Sequence, residues 1–338
     1  MPRRLVLAAA LLAAAPAPAA DRPPLSGKEI YQRTLKSTAW IAHAVEVGRD
    51  RAVLLAGTGS VIDVHQRLIL TNFHVVAHEA EVRVFFPQFD KQNKLIAAKD
   101  HYLREFQAGG GLKGKVLYRD EKRDLAVVQV DRLPSGTTAV PLARESVGPG
   151  DTVHSIGNPG ASDALWAYTP GAVKAVYKKT WSVRDRGEVH NFEATVVETT
   201  SPVNPGDSGG PLLNGAGELV AVTQGGVSAQ GTISYFIDIS EVRALLTAKK
   251  VRLSTAPAAA VAAATEKVEE KAPPPKDAAA DQAEKDEKTA RAKLALAEMF
   301  LPDRPEKARE RLEEIIKAYP QTKAAREAKE QLAKLKKG

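Results

Sequence analysis

From about Ile30 to Leu253 the apolar residues come in short β-rich runs separated by Gly, Pro, Asn or Asp turns. Ser60–Val64, Arg67–Leu70, Glu81–Phe85, Leu125–Val130, Ala194–Glu198 and Glu218–Val222 are examples. Many short strands at this spacing predict an all-β barrel or sandwich. Helical patterns occur near the two ends of the region, over Gly27–Ser37 and Ser240–Lys249. Residues 86–113 break the strand rhythm. They are polar, end in Gly109-Gly110-Gly111, and read as a surface insertion of a length that is functional or mobile.

The pattern changes after Ala256. From there to about Gln282, Ala, Pro, Glu and Lys dominate around Pro273-Pro274-Pro275. Such a stretch lacks the apolar surface to order itself and reads as a semi-extended linker. Beyond it the period becomes helical: Leu312, Ile315, Ile316 and Tyr319 share one face, and Ala325, Ala328, Leu332 and Leu335 share another. Pro302 and Pro320 divide this part into three helices, of which Leu294–Leu301 and Ala308–Tyr319 are expected to form a hairpin capped by the third. The Ala-Tyr-Pro-x-Thr join at Ala318–Thr322 resembles a tetratricopeptide-like module. A small bundle or coiled coil that pairs with a second copy is the equal alternative, since solenoids need more repeats for stability.

At the other end, Arg3 and Arg4 precede an apolar run from Leu5 to Ala15 and an Ala17-Pro18-Ala19 cleavage pattern, with Ala20 close behind. This is the layout of a secretory signal. The run is short for a bilayer span, and no later stretch is long enough for one. The expected organisation is a signal at 1–20, a β-rich domain at 21–255, a linker at 256–282 and a helical module at 283–338, in a protein exported to the periplasm or outside the cell.

Composition narrows the chemistry. The 338 residues contain no Cys, which excludes disulfides, thiolate nucleophiles and Cys-bound zinc. The formal charge of +7 is spread over interleaved Lys, Arg, Asp and Glu, a pattern of solvated surface and not of a nucleic-acid stripe.

The most specific signal is Asn204-Pro205-Gly206-Asp207-Ser208-Gly209-Gly210-Pro211. A serine hydroxyl is a poor nucleophile and needs exposure, a base and an oxyanion site. Glycines on both sides permit a tight turn that aims the N–H groups of Gly206 and Ser208 at one point, where a tetrahedral intermediate carries its charge.

This octet resembles the nucleophile loop of chymotrypsin-like (trypsin-like) serine peptidases. With Thr199–Val203 before it, the match is nearest to the HtrA/Deg-like bacterial branch. Asp207 departs from that branch, which usually has Asn there, and this puts the loop's on/off regulation in question. The resemblance implies a double β-barrel fold and an upstream His and Asp, in that order. Thr71-Asn72-Phe73-His74-Val75-Val76 resembles the histidine motif and Arg123-Asp124-Leu125-Ala126-Val127-Val128 the aspartate motif. By this resemblance His74 is the general base and Asp124 orients it. Gly57-Thr58-Gly59-Ser60 and Gly157-Asn158-Pro159-Gly160 also fit the branch.

The resemblance further implies that polypeptide substrates bind as an added strand along Thr223, Gln224, Gly225 and Gly226, with Pro202 near the base of the primary pocket. No acidic residue stands there, so a small or medium apolar side chain is expected at the cleaved position. Members of the branch usually carry a PDZ domain after the protease. Here the linker and helical tail follow instead, and the tail is the candidate for partner docking or self-association.

His43, His65, His78, His101, His154 and His190 read as ordinary surface or core residues. His74 and His78 have helical ligand spacing, but Glu79 lies outside the zinc-peptidase pattern and no third ligand is evident, so neither metal nor cofactor is expected. The reading is a secreted serine endopeptidase. The alternative is a catalytically silent or latent scaffold that keeps the fold and acts through peptide binding and its tail.

Overall fold

Two closed six-stranded barrels carry the site. The computed structural model describes residues 23–47, 51–185, 188–227, 233–254 and 305–335, and seven helical positions between Glu287 and Glu298. The first barrel contains β1 (Thr38–Val47), β2 (Arg51–Asp63), β3 (Leu68–Thr71), β4 (Glu81–Phe85), β5 (Leu112–Asp120) and β6 (Leu125–Val130). Their order is β1-β2-β3-β6-β5-β4, and β4 pairs back onto β1. The second contains β7 (Thr152–Gly157), β8 (Ala167–Asp185), β9 (Glu188–Thr199), β10 (Pro211–Leu213), β11 (Leu219–Val227) and β12 (Ile233–Asp238). Its order is β10-β11-β12-β9-β8-β7, closed by β7 against β10. Closure removes the unpaired edges that make open sheets prone to association.

Each barrel has its own apolar filling. Ile41, Val61, Ile69, Val84 and Val128 occupy the first, and Val153, Val197, Leu212, Val220 and Phe236 the second. A third cluster joins them: Leu68, Leu70, Leu125 and Val127 meet Val196, Leu213, Val222 and Ile237, with Val242 and Leu245 of the terminal helix α4 (Ile239–Ala248). At about 1.5–3 kcal/mol for each fully buried side chain, this shared layer fixes the two barrels against each other. The chain enters through α1 (Gly27–Thr34), started by a capping box in which Ser26 Oγ accepts from Glu29 N–H and the Glu29 carboxylate accepts from Ser26 N–H.

The 86–113 insertion differs from its reading as a polar surface segment. It contains the helix α3 (Lys99–Gln107), whose Tyr102 and Leu103 are buried in a cluster with Trp40, Phe85, Leu165 and Trp166. Tyr102 meets Trp166 edge-on at 4.8 Å. Its hydroxyl accepts from Gln88 N–H and donates to Ile96 O, and burial pushes it up to about 12. Two backbone bonds, Lys99 N–H to Asp163 O (2.8 Å) and Leu165 N–H to Ala97 O (2.9 Å), stitch the insertion to the second barrel.

The C-terminal part supplies α5 (Pro305–Ala318) and α6 (Lys323–Leu335). Leu312 and Ile315 pack with Ala324, Ala325 and Ala328, and with Ala290, Leu294 and Ala297 of the preceding helical positions. Thr322 Oγ1 accepts Ala325 N–H at the start of α6, which explains the turn after Pro320. Arg311 of α5 pairs with Asp100 of α3 at 2.7 Å. The signal segment and the linker lie outside the described residues.

Candidate active site

The base comes from the end of β3. Asn72 leads into the one-turn helix α2 (Phe73–Val76), which presents His74 while Phe73, Val75 and Val76 are buried. Its Nδ1 lies 2.7 Å from Asp124 Oδ2, and its backbone N–H donates to Asp124 Oδ1 at 3.0 Å. Asn72 Nδ2 donates to the Asp124 carbonyl at 2.8 Å. The carboxylate is fully buried and the imidazole is 37% exposed. A buried carboxylate on Nδ1 fixes the tautomer and leaves Nε2 as the basic nitrogen.

Asp124 sits in the left-handed region, at φ +54°. The loop that holds it there is tied to the second barrel. Arg123 pairs with Asp120 (2.7 Å) and with Glu241 of α4 (2.8 Å), while the other Glu241 oxygen accepts Thr195 N–H of β9. Glu193 N–H donates to Lys122 O, and His190 Nδ1 lies 2.7 Å from Glu121 Oε1. The ring of His190 also packs against Phe73 and His78.

The nucleophile side is held mainly by backbone. Thr58 N–H donates to Ser208 O at 2.7 Å, and Thr58 Oγ1 donates to Gly206 O at 2.8 Å. Gly209 N–H donates to Thr223 O, and Thr223 N–H donates to Gly210 O. Gly206 (φ +101°) and Gly209 (φ +86°) take conformations that L side chains resist. Among the described residues, the N–H groups of Gly206 and Ser208 donate to no protein acceptor, which makes both candidate oxyanion donors. Ser208 Oγ donates to Gln224 O at 3.1 Å.

Asp207, beside the nucleophile, turns inward. Its carboxylate accepts Asn204 N–H at 2.8 Å and covers Gly157, where a Cβ would lie 2.2 Å from Oδ1. Burial pushes this carboxyl up to about 6, against the hydrogen bonds from Asn204 and the smaller opposing charge of Lys99.

The residues read as the substrate edge separate in space. Thr223 is buried, with its N–H and C=O both spent on the nucleophile loop. The register breaks at Gln224. Pairing of β11 with β10 runs from Leu219 to Val222, so among the described residues Gly225 and Gly226 pair only with β12. A Cβ at Gly225 would meet nothing within 4 Å, and one at Gly226 would meet Val203 at 3.0 Å. Pro202 is exposed. Sequence reasoning passed over Lys99, the Arg123–Glu241 pair and the His190–Glu121 pair. Only Arg123 carried a signal, as the neighbour of Asp124.

Residues 57–222 match the family model of the trypsin-like peptidase domain. The chain is 30% identical over 199 residues to HhoA of Synechocystis sp., covering 58% of this chain and 43% of that protein. It is 29% identical over 207 residues to the serine protease HTRA1A of Danio rerio, covering 61% of this chain and 37% of the other. It is 27% identical over 177 residues to the periplasmic serine endoprotease DegP of Salmonella typhimurium, covering 52% and 31%. The chain thus spans less than half the length of these relatives. The active form of the Rv3671c protease from M. tuberculosis shares the fold, with a TM-score of 0.50 and 22% identity, covering 69% of this chain and 93% of that one.

Proposed function

We propose that this chain, which carries a trypsin-like peptidase domain at residues 57–222, is a serine endopeptidase acting on polypeptides in the cell envelope or outside the cell. One observation carries the reading: a buried carboxylate 2.7 Å from the imidazole of His74, in a chain whose nucleophile loop offers two unclaimed N–H groups. In the mechanism, the Ser208 hydroxyl turns from Gln224 O to Nε2 of His74, which takes its proton as the oxygen attacks the scissile carbonyl. Asp124 stabilises the resulting imidazolium. The N–H groups of Gly206 and Ser208 receive the developing oxyanion, and His74 returns the proton to the leaving amine. Water then repeats the cycle on the acyl-enzyme.

The free side of Gly225–Gly226 is where an extended substrate adds as a strand, and Val203 makes an apolar pocket wall that favours a small or medium apolar residue. Strict cleavage after Lys or Arg would sink that preference. Export rests on the N-terminal pattern and on periplasmic DegP among the relatives; no described helix is long and apolar enough to cross a membrane. The helical tail is the proposed site for a protein partner or self-association. Deleting residues 256–338 without change in solution mass or substrate range would remove that role.

The test is incubation of residues 21–338 with unfolded casein beside Ser208→Ala, with fragments followed by mass spectrometry. Cleavage by the wild type alone supports the endopeptidase. The second reading, a latent or silent scaffold, draws on the Ser208–Gln224 bond, which holds the hydroxyl on a carbonyl. Covalent labelling of Ser208 by a serine-directed phosphonate, without casein cleavage, would favour latency; no labelling would favour the silent scaffold.

A further inference from the structure

Lys99 opens α3 in the insertion, far in sequence from the nucleophile. Its Nζ donates to the carbonyls of Pro159 (2.9 Å) and Gly160 (2.6 Å), in the strap that follows β7. The nucleophile loop is seated on this strap. Gly160 N–H donates to Pro205 O at 2.6 Å, the Asp207 carboxylate covers Gly157, and a Cβ on Gly206 would fall 2.4 Å from Asn158 O. Asn158 is fixed in turn, with Nδ2 on Ala39 O and Thr58 Oγ1 and Oδ1 accepting Trp166 N–H. Trp166 is the partner of Tyr102 on α3. The helix that delivers Lys99 and the strap that receives it are therefore parts of one buried unit.

We propose that Lys99 is a positioning residue for the oxyanion loop: it fixes the 157–160 strap through two carbonyls and sets a positive charge toward the partly buried Asp207 carboxylate beside Ser208. This rests on the endopeptidase reading for its effect on turnover, but not for the electrostatic pairing of Lys99 with Asp207, which acts through space. Residues 157–160 contain no titratable side chain, and Asp207 is the one titratable residue of 201–210. From α3 comes Lys99, with Asp163 next to it, whose carbonyl accepts the Lys99 N–H. His74 is the group the reaction itself brings to Ser208. An ionised Asp207 makes a charge-assisted bond to Asn204 N–H, the stronger kind of hydrogen bond. Protonation weakens that bond and loosens the turn that aims the Gly206 and Ser208 N–H groups. Burial favours the protonated form, while the Asn204 hydrogen bonds and, to a smaller extent, the charge of Lys99 favour the ionised one.

The experiment compares the wild type, Lys99→Arg, Lys99→Met, Asp207→Asn and the Lys99→Met/Asp207→Asn double variant. Casein turnover and phosphonate labelling of Ser208 are followed from pH 5 to 8. Lys99→Met is expected to lower kcat and the labelling rate roughly 10- to 100-fold, within the range for a displaced oxyanion donor or misplaced reacting group. KM is expected to change by less than about 2-fold, and the acid limb to move to higher pH. Lys99→Arg restores most of the rate, and in the Asp207→Asn background the movement of the limb disappears. Wild-type kcat and acid limb in Lys99→Met would overturn the proposal, as would a loss with an unchanged pH profile that Lys99→Arg does not relieve. Thermal midpoints of the same five proteins from pH 4 to 8 read the pairing without turnover. Lys99→Met should be more destabilised at pH 8 than at pH 4, and only where Asp207 is present; a pH-independent loss would overturn the pairing. A wild type that neither cleaves nor labels would defeat the endopeptidase reading and leave the midpoint comparison to decide the pairing.

Discussion

The two sides of the site are built differently. On the first barrel, a fully buried Asp124 carboxylate meets the partly exposed imidazole of His74, and ion pairs through Arg123 brace their loop. On the second barrel, Ser208 stands on a turn held chiefly by N–H···O=C bonds, with a carboxylate beneath it whose ionisation costs free energy. In the proposed reading the base arrives assembled, while the nucleophile and its oxyanion donors depend on how a glycine-rich turn is seated. Chemical power and adjustability are divided between the barrels.

The sharpest way to separate the sides is to remove the nucleophile. Ser208→Ala should lower kcat about a million-fold against casein, with substrate capture still detectable by crosslinking. Asp124→Asn should keep the backbone and lose about 10^4-fold in kcat, because the amide favours the wrong imidazole tautomer. A pH-rate profile beside Ser208→Ala checks that the residue acts through the base. Gly209→Ala tests the turn. The new Cβ would lie 2.1 Å from Thr58 O at a positive φ, so denaturant midpoints should report a loss of roughly 2–4 kcal/mol, with turnover falling alongside.

Asp207→Asn acts in the opposite direction on stability. The folded carboxyl is raised from 3.8 to about 6, so the folded protein binds the extra proton between those values and stability falls as pH rises through that window. Asparagine abolishes that fall. The variant should gain stability over the wild type at pH 7–8, by no more than about 3 kcal/mol at 1.36 kcal/mol per pH unit, and the gain should vanish below about pH 4. Smallest is Arg311→Ala, which breaks a pair whose acid is half exposed and should change the thermal midpoint by less than about 1 kcal/mol equivalent.

Local pattern made much of this fold legible. Leu125–Val130 and Glu81–Phe85 are strands with the predicted bounds, and Gly27–Ser37 is a helix closed by a 3-10 turn (Leu35–Ser37). Strands such as β2 and β8 run longer than their apolar runs, because cross-strand pairing extends them through Gly and Lys positions that carry no pattern. The insertion helix was not legible. Its buried face is Tyr102 and Leu103 among charged residues, and its reason to fold is Trp166, a contact across the barrel junction. The nucleophile loop could be read because its chemistry is local. Lys99, Glu241 and His190 could not, because each acts on a loop of the other barrel.

The backbone at Asp124 constrains how this chain can change over generations. A residue at φ +54° is favoured as Gly, Asn or Asp, and of these only Asp brings a charge to Nδ1 of His74. Mutational drift that spares the fold therefore has two exits here, both leading to a protein that folds and turns over poorly. Descendants that lack the proposed activity while keeping the scaffold should carry Asn or Gly at this position more often than any larger residue.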